Sequence, residues 1–349
     1  MEKCQKFDFQ RIPALLLSWY QKSKRSLPWR ENPTPYRVWV SEIMLQQTRV
    51  EAVKEYFVRF MDELPSVEAL ASCEEEKLLK LWEGLGYYSR VRNMQKAAKI
   101  LVSVYGGEFP RDAEALKDLP GIGSYTAGAI ASIAFGLPVA AVDGNVFRVA
   151  ARLEENSTCI SDPKYRKYLE ETLSAVYPTE GEDCSAFTQS LFELGALVCK
   201  PQTPDCAVCP LKGLCKAYIH GTQSLFPVMP EKKAKRQERV YVFLIETPQG
   251  FCIRRREAGV LRGMNEFPSA VAEEGVLPEE VLNEWGVYEF TEVFRQKYVH
   301  IFTHIRWDIT CIWIKTDSAP FDAYHLDEIE ESISLPTAFK QCLGILKKV

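Results

Sequence analysis

The chain is predicted to fold as an all-α region followed by a smaller α+β domain, and three observations predict this. From the N-terminus to about residue 225 it reads as helices separated by Gly and Pro punctuation. Pro65, Gly84, Gly106-Gly107, Pro110 and Asp162-Pro163 mark their ends and starts. After Arg239 the texture changes. RVYVFLIET is rich in β-branched and aromatic residues, Pro248-Gln249-Gly250 supplies a turn, and FCIRRR follows, which reads as a β-hairpin; VHIFTHIRWDITCIWIK (299–315) reads as two more strands. Between the two textures stand four cysteines, Cys199, Cys206, Cys209 and Cys215, followed by the polar, basic segment PVMPEKKAKRQER (227–239). The expected organisation is a helical domain over 1–225, a linker over 226–239 and a mixed domain over 240–349.

Each part is consistent with the composition. A chain of 349 residues can bury two cores, and 46% hydrophobic with 26% charged residues is ordinary for a globular protein. The start, MEKCQKFDFQRIP, lacks the apolar core of a signal peptide. Seven of the eleven cysteines are scattered (Cys4, Cys73, Cys159, Cys184, Cys252, Cys311, Cys342), as in a reducing compartment. The charge-free run Leu119–Val142 contains Pro120, Pro138 and four glycines, so it reads as a buried helix flanked by turns and not as a membrane span. A soluble, cytoplasmic monomer is the expectation. The net charge of −4 argues weakly against a nucleic-acid partner, but its distribution matters more. Phe9–Arg30 carries five bases (Arg11, Lys22, Lys24, Arg25, Arg30) and no acid; Gly84–Gly107 carries four (Arg90, Arg92, Lys96, Lys99) and no acid. Each run alone is a solvated helix face; together they allow a basic surface. The linker has a possible secondary role against phosphates.

The cysteines read C-x6-C-x2-C-x5-C within seventeen residues, with Pro201, Pro204 and Pro210 among them. Four thiolates in one short loop can wrap a soft metal centre. Structural zinc favours two short-spaced pairs, and only Cys206 and Cys209 form one. The longer gaps suit a cubic [4Fe-4S] cluster better, with zinc and then disulfides as the competing readings.

Three further positions carry chemistry. Glu42 lies in VWVSEIMLQQT, flanked by Val38, Trp39, Val40 and Ile43, Met44, Leu45. It is either the exposed position of an amphipathic helix or a buried carboxyl whose raised pKa suits a general acid near neutral pH. In LPGIGSYTAGAIAS (119–132), Gly121 and Gly123 free the backbone for a tight turn into a helix start that offers N–H groups to an anion. No strand precedes it and no third glycine has the dinucleotide-fingerprint spacing, so a helix-hairpin-helix gripping a DNA phosphate fits better. Asp143, in PVAAVDGNVFRVAAR, is either an N-cap before the helix Val146–Arg152 or the partner carboxylate that glycosidic chemistry requires.

Taken in order, SEIMLQQT, GLGYYSR, LPGIGSYTAG, AVDGN, FELGALVC and the four-cysteine loop resemble the helix-hairpin-helix DNA glycosylases, over residues 28 to 215. The endonuclease III type carries a lysine after the hairpin glycines, which forms a Schiff base and cleaves the strand; here that position is Tyr125. SEIMLQQT together with a second domain resembles the adenine DNA glycosylases, which remove adenine mispaired with 8-oxoguanine or guanine. The resemblance implies that Glu42 protonates the flipped adenine at N7, and that Asp143 stabilises or traps the sugar cation, with Tyr125 and Asn145 assisting. It implies that Glu193, Trp29 and Arg30 line the base pocket, and that Gln47, Thr48 and Tyr87 fill the gap in the duplex. Gln47 and Thr48 also read as plain surface positions, and at least one of Tyr87 and Tyr88 as core. The second domain resembles a Nudix-like domain without the catalytic Glu-rich pattern, although Glu266, Glu273 and Glu274 stand in the corresponding stretch. Its reader loop would be Phe302-Thr303-His304, where the family has Phe-Ser-His; the added methyl bears on the contact.

Overall fold

Helix starts in the first part of the chain are set by capping side chains. Thr34 accepts from Arg37 N ahead of the helix Pro35–Leu45, and Asp112 from Ala115 N ahead of Ala113–Lys117. Asp143 accepts from Val146 N ahead of Gly144–Glu154, and Asp162 from Lys164 N ahead of Pro163–Ser174. Each satisfies an N–H that the first turn leaves unpaired. The computed structural model describes residues 7–179, 181–231, 234–273 and 275–346; Cys4, Lys232, Lys233 and Glu274 lie outside the described residues. The chain divides into two compact units, Met1–Ser72 with Arg92–Glu231 and Cys73–Val91 with Lys232–Val349.

The first unit is helical. Its apolar core includes Ile12 and Leu16 from the helix Ile12–Ser23, Phe147 from Gly144–Glu154, Leu169 from Pro163–Ser174 and Phe187 from Glu182–Glu193. The charge-free run 119–142 is a turn, the helix Ser124–Ala129, a wider π turn Ile130–Ala134 and an extended approach to Asp143. Among the described residues no helix is long and apolar enough to cross a membrane. The hairpin turn needs glycine at one place. Gly121 has φ +80°, and a Cβ there would lie 2.9 Å from Asn93 Cβ. Gly123 is extended and caps the following helix.

The second unit is built on strands β1 (Arg236–Thr247), β2 (Gly250–Arg255), β3 (Asn265–Glu266), β4 (Ser269–Val271), β5 (Thr291–Ile301), β6 (Ile305–Lys315) and β7 (Asp322–Tyr324). The main path is β3-β2-β1-β6-β5, with β4 on β1 and β7 on β2. The β1–β2 hairpin pairs Thr247 with Gly250, and β1 runs parallel to β6 from Arg236↔Ile305 onward. Because strand side chains alternate, β6 sends Ile305, Trp307, Ile309 and Cys311 to one face and Ile312 and Ile314 to the other. The first face is covered by the helices Leu326–Glu331 and Thr337–Leu346, the second by Pro278–Glu284. An α/β sheet domain therefore follows the helical one.

Two boundaries differ from expectation. The strand β1 starts at Arg236, inside the segment 226–239 read as linker, because pairing with β6 gives its polar start a ladder that hydrophobic patterning could not announce. Residues 73–91, read as part of the helical domain, group with the sheet unit. Leu335 N donates to Glu83 Oε1 at 2.8 Å, Ser334 Oγ to the Leu79 carbonyl at 3.1 Å, and Lys80 Nζ to the Glu330 and Ile333 carbonyls at 2.6 and 3.0 Å.

Candidate active site

The helix Pro35–Leu45 is apolar nearly all round; Tyr36 and Val38 through Met44 are buried. Glu42 is buried with them, at 5% exposure, so the solvated-face reading of this residue does not apply. Its carboxylate accepts a hydrogen bond from the Tyr125 hydroxyl, presented by the hairpin's second helix. Burial, with the Asp143 charge nearby, pushes the Glu42 carboxyl up to about 7, against the Tyr125 hydrogen bond and the Arg30 charge. The Tyr125 hydroxyl is raised as well, first by burial and then by the Glu42 charge, and so stays a donor. The third member is Asp143, which caps its helix and faces the site at once. One oxygen accepts from Val146 N at 2.8 Å, the other from Asn145 Nδ2 at 2.7 Å. Burial raises the Asp143 carboxyl, partly offset by those bonds. Asn145 is oriented from behind: its Oδ1 accepts from Arg148 Nη2 at 2.8 Å. Gly195, of FELGALVC, makes room for it, since a Cβ there would come within 2.4 Å of Asn145 Cβ. Two carboxyls with raised pKa values in one apolar pocket can divide acid and anion roles between them.

Glu193 lies 1% exposed at the end of the helix Glu182–Glu193. Arg25 grips it through Nε at 2.9 Å and Nη2 at 2.6 Å, and Arg30 Nη2 adds a bond at 2.9 Å. Burial alone would raise this carboxyl; the Arg25 hydrogen bonds and both guanidinium charges outweigh it and hold it below its ordinary value. The expectation that Glu193 lines a base pocket with Trp29 and Arg30 thus meets an ion-paired carboxylate, with Trp29 packed edge-on to Phe57 at 5.6 Å. In the sequence Arg25 is one of five bases in an acid-free run, with no mark that sets it apart. The signal was the run itself, Phe9–Arg30, against which one buried acid had to be neutralised. An open hollow beside this clamp is lined by Tyr20, Arg25, Leu27, Arg30 and Gln189, with Tyr20 OH donating to Gln189 Oε1 at 3.1 Å.

Two stretches match known domain models: residues 40–175 match the helix-hairpin-helix superfamily of base excision DNA repair proteins, and residues 241–344 match a Nudix domain. The adenine DNA glycosylase of Mus musculus is 35% identical over 90% of this chain and 72% of its own length. That of Buchnera aphidicola subsp. Baizongia pistaciae is 32% identical over 95% and 92%. The chain belongs to the adenine DNA glycosylase family. It is a base-excision DNA glycosylase. Two solved structures are similar in fold: a thermostable thymine-DNA glycosylase (TM-score 0.54, 29% identity, 60% of this chain and 95% of that one) and endonuclease III in a non-covalent DNA complex (0.51, 28%, 61% and 95%).

The glycosylase unit also holds the four cysteines around one hollow, which Arg152 lines with them. All four are free thiols, and among the described residues no three His, Cys, Asp or Glu groups are arranged for a single metal ion. Burial, with the neighbouring thiols, pushes Cys209 up to about 12, so a cationic centre would favour its thiolate form. Arg152 fastens the loop: it donates to the carbonyls of Lys200 and Pro201 at 2.7 and 2.6 Å and to Cys199 Sγ at 3.3 Å. The donor set, four thiols around a shared space with a cation alongside, fits a thiolate-ligated cluster.

The remaining expected positions fall in three places. Gln47 is exposed and left-handed at φ +59°, Thr48 is half-buried, and both follow the helix that carries Glu42. In the sheet unit, Tyr87 is 46% exposed and left-handed at φ +48°, whereas Tyr88 is core. Non-glycine residues adopt this left-handed region infrequently. The Arg90 guanidinium lies 5.6 Å from the Tyr87 ring and donates to the Leu85 and Gly86 carbonyls. The Tyr87 hydroxyl meets Thr303 Oγ1 at 2.6 Å, and Thr303 with His304 is exposed at the β5–β6 turn. Phe302 is held by its ring, edge-on to His300 at 4.6 Å and Trp307 at 4.8 Å. Of the described acids in the Nudix-like stretch, Glu266 is buried in ion pairs with Arg254 and Arg256, and Glu273 is exposed.

Proposed function

We propose that this chain is a monofunctional glycosylase that removes adenine mispaired with 8-oxoguanine or guanine, by acid-assisted hydrolysis of the N-glycosidic bond. The observation that carries the proposal is the buried Glu42–Tyr125–Asp143 cluster, with the acid's pKa near 7. An adenine outside the stack offers N7 as a proton acceptor. Glu42, half protonated near neutrality, gives it a proton, and the C1′–N9 bonding pair leaves with the base. The sugar then carries an oxocarbenium-like charge that the Asp143 carboxylate faces, held in place by Asn145 and Val146 N. Water adds at C1′, its proton is released, and an abasic site results. Tyr125 keeps Glu42 oriented and, standing where a lyase carries lysine, offers no amine for a Schiff base. The Tyr125 hydrogen bond and the Asp143 and Arg30 charges act on Glu42. In this reading Glu193 acts through Arg25 and Arg30, fixing the wall of the base pocket with Trp29. Gln47, Thr48 and Tyr87 occupy the duplex gap, Gly121 and Gly123 open the hairpin to a phosphate, and Phe302-Thr303-His304 reads the opposite base.

Cys199, Cys206, Cys209 and Cys215 would hold a [4Fe-4S] cluster. When bound, it supplies iron–thiolate bonds that fix this loop as a rigid DNA-facing element. The purified protein is expected to contain iron and acid-labile sulfide in equal amounts and to lose its visible absorption in Cys209→Ser. Stoichiometric zinc with no visible colour sinks the cluster assignment.

The activity is tested on a duplex carrying one 8-oxoguanine:adenine pair. Adenine should be released, leaving an alkali-labile strand that borohydride does not trap on the protein. Absence of adenine release overturns the reading. Efficient covalent trapping with strand scission favours the endonuclease III-like alternative, which the fold neighbours keep in view.

A further inference from the structure

The end of the basic linker lies against the turn that carries Thr303. That turn spans three residues between β5 and β6, and its one internal backbone bond runs from Phe302 N to the Ile305 carbonyl at 2.8 Å. Two other carbonyls of the turn are taken from outside by consecutive residues. Lys235 Nζ donates to the Phe302 carbonyl at 2.7 Å, and Arg236 N to the His304 carbonyl at 3.0 Å. The two bonds flank Thr303 on either side. They arise from topology: β1 pairs parallel with β6 beginning at Arg236↔Ile305, so the residue just before β1 overhangs the turn.

We infer that Lys235 is a positioning residue for lesion discrimination, strapping the 302–304 turn so that the Thr303 hydroxyl and the Tyr87 hydroxyl stand together toward the base opposite adenine. This inference rests on the proposed 8-oxoguanine-reading role of that turn. A three-residue turn with one internal bond has several backbone arrangements close in energy; bonds to both flanking carbonyls select one. The role differs from the ordinary use of a linker lysine near DNA, which is to neutralise a phosphate regardless of sequence.

The test uses Lys235→Met, which keeps the stem and removes the donor, and Lys235→Arg, which restores one. Single-turnover excision is followed on 8-oxoguanine:adenine and guanine:adenine duplexes, with thermal melting as the check on folding. Lys235→Met should lower the preference for the 8-oxoguanine duplex by about fivefold, as loss of one hydrogen bond predicts, with the guanine:adenine rate kept. Lys235→Arg should recover most of the preference. A phosphate role instead weakens binding to both duplexes equally and reduces the salt slope by about one, which overturns the inference. An unchanged preference in Lys235→Met overturns it too. If the unaltered protein shows no preference between the duplexes, the reading of the turn itself fails, independently of the variants.

Discussion

Glu42→Gln should lower adenine excision by about a thousandfold or more, while duplex affinity stays within a few-fold of the unaltered protein. Glutamine has the volume of glutamate and still accepts from the Tyr125 hydroxyl, so the pocket keeps its shape; it has no proton to give. The same carboxyl sets the pH dependence. With its pKa raised to about 7, the acid form is abundant below that pH, and the single-turnover rate should fall as pH rises through about 7. Stability follows the same group. The folded carboxyl binds its proton more tightly than the unfolded one, whose reference value is 4.5. The folded state therefore loses stability as pH rises from about 4.5 through about 7, by roughly 3 kcal/mol in all. Glu42→Gln removes that penalty, so above neutrality the inactive variant should melt higher than the active protein. Denaturant unfolding at two pH values beside single-turnover kinetics checks both halves. A variant that turns over at near-normal rate sinks the acid assignment; one that melts lower at alkaline pH sinks the buried-acid account.

How much of this site was legible in the chain depends on the range of each signal. An acid within Val38–Leu45 is local, and the pattern alone left it open whether Glu42 was buried. What decides the matter is a tyrosine 83 positions further on, whose hydroxyl meets the carboxyl. Asp143 was legible as a cap because the Asp-Gly-Asn turn is local, and it is a cap; that it also faces Glu42 is a fact of packing. The Arg25–Glu193 pair, 168 positions apart, left only the acid-free stretch as a trace. The first hairpin of the second domain was readable from its composition and turn residues, and 299–315 as two further strands. The strand start at Arg236 and the attachment of residues 73–91 to the sheet unit were not, since polar backbone contacts leave no hydrophobic period. Gly195 shows the limit from the other side: a glycine in a helical run is weak punctuation until Asn145 is found filling the space above it.

Asp143→Asn is the companion experiment, expected to reduce excision by about two to three orders of magnitude, the scale of removing one aligned electrostatic partner of a transition state. The change keeps the shape but removes the negative charge from the position facing C1′. The amide oxygen can keep the cap bond from Val146 N, but the amide nitrogen cannot accept from Asn145 Nδ2. Loss of that one bond costs about 1 kcal/mol in stability, separable from the chemical defect by a melt and by duplex binding. Because the Asp143 charge helps raise the Glu42 pKa, removing it should also lower that pKa and shift the residual pH–rate profile to lower pH. Glu42→Gln combined with Asp143→Asn should be little worse than Glu42→Gln alone, since the cation that Asp143 stabilises forms only after the base is protonated. Fully additive losses would mean that the two residues act independently, and the single acid–anion cluster would have to be abandoned.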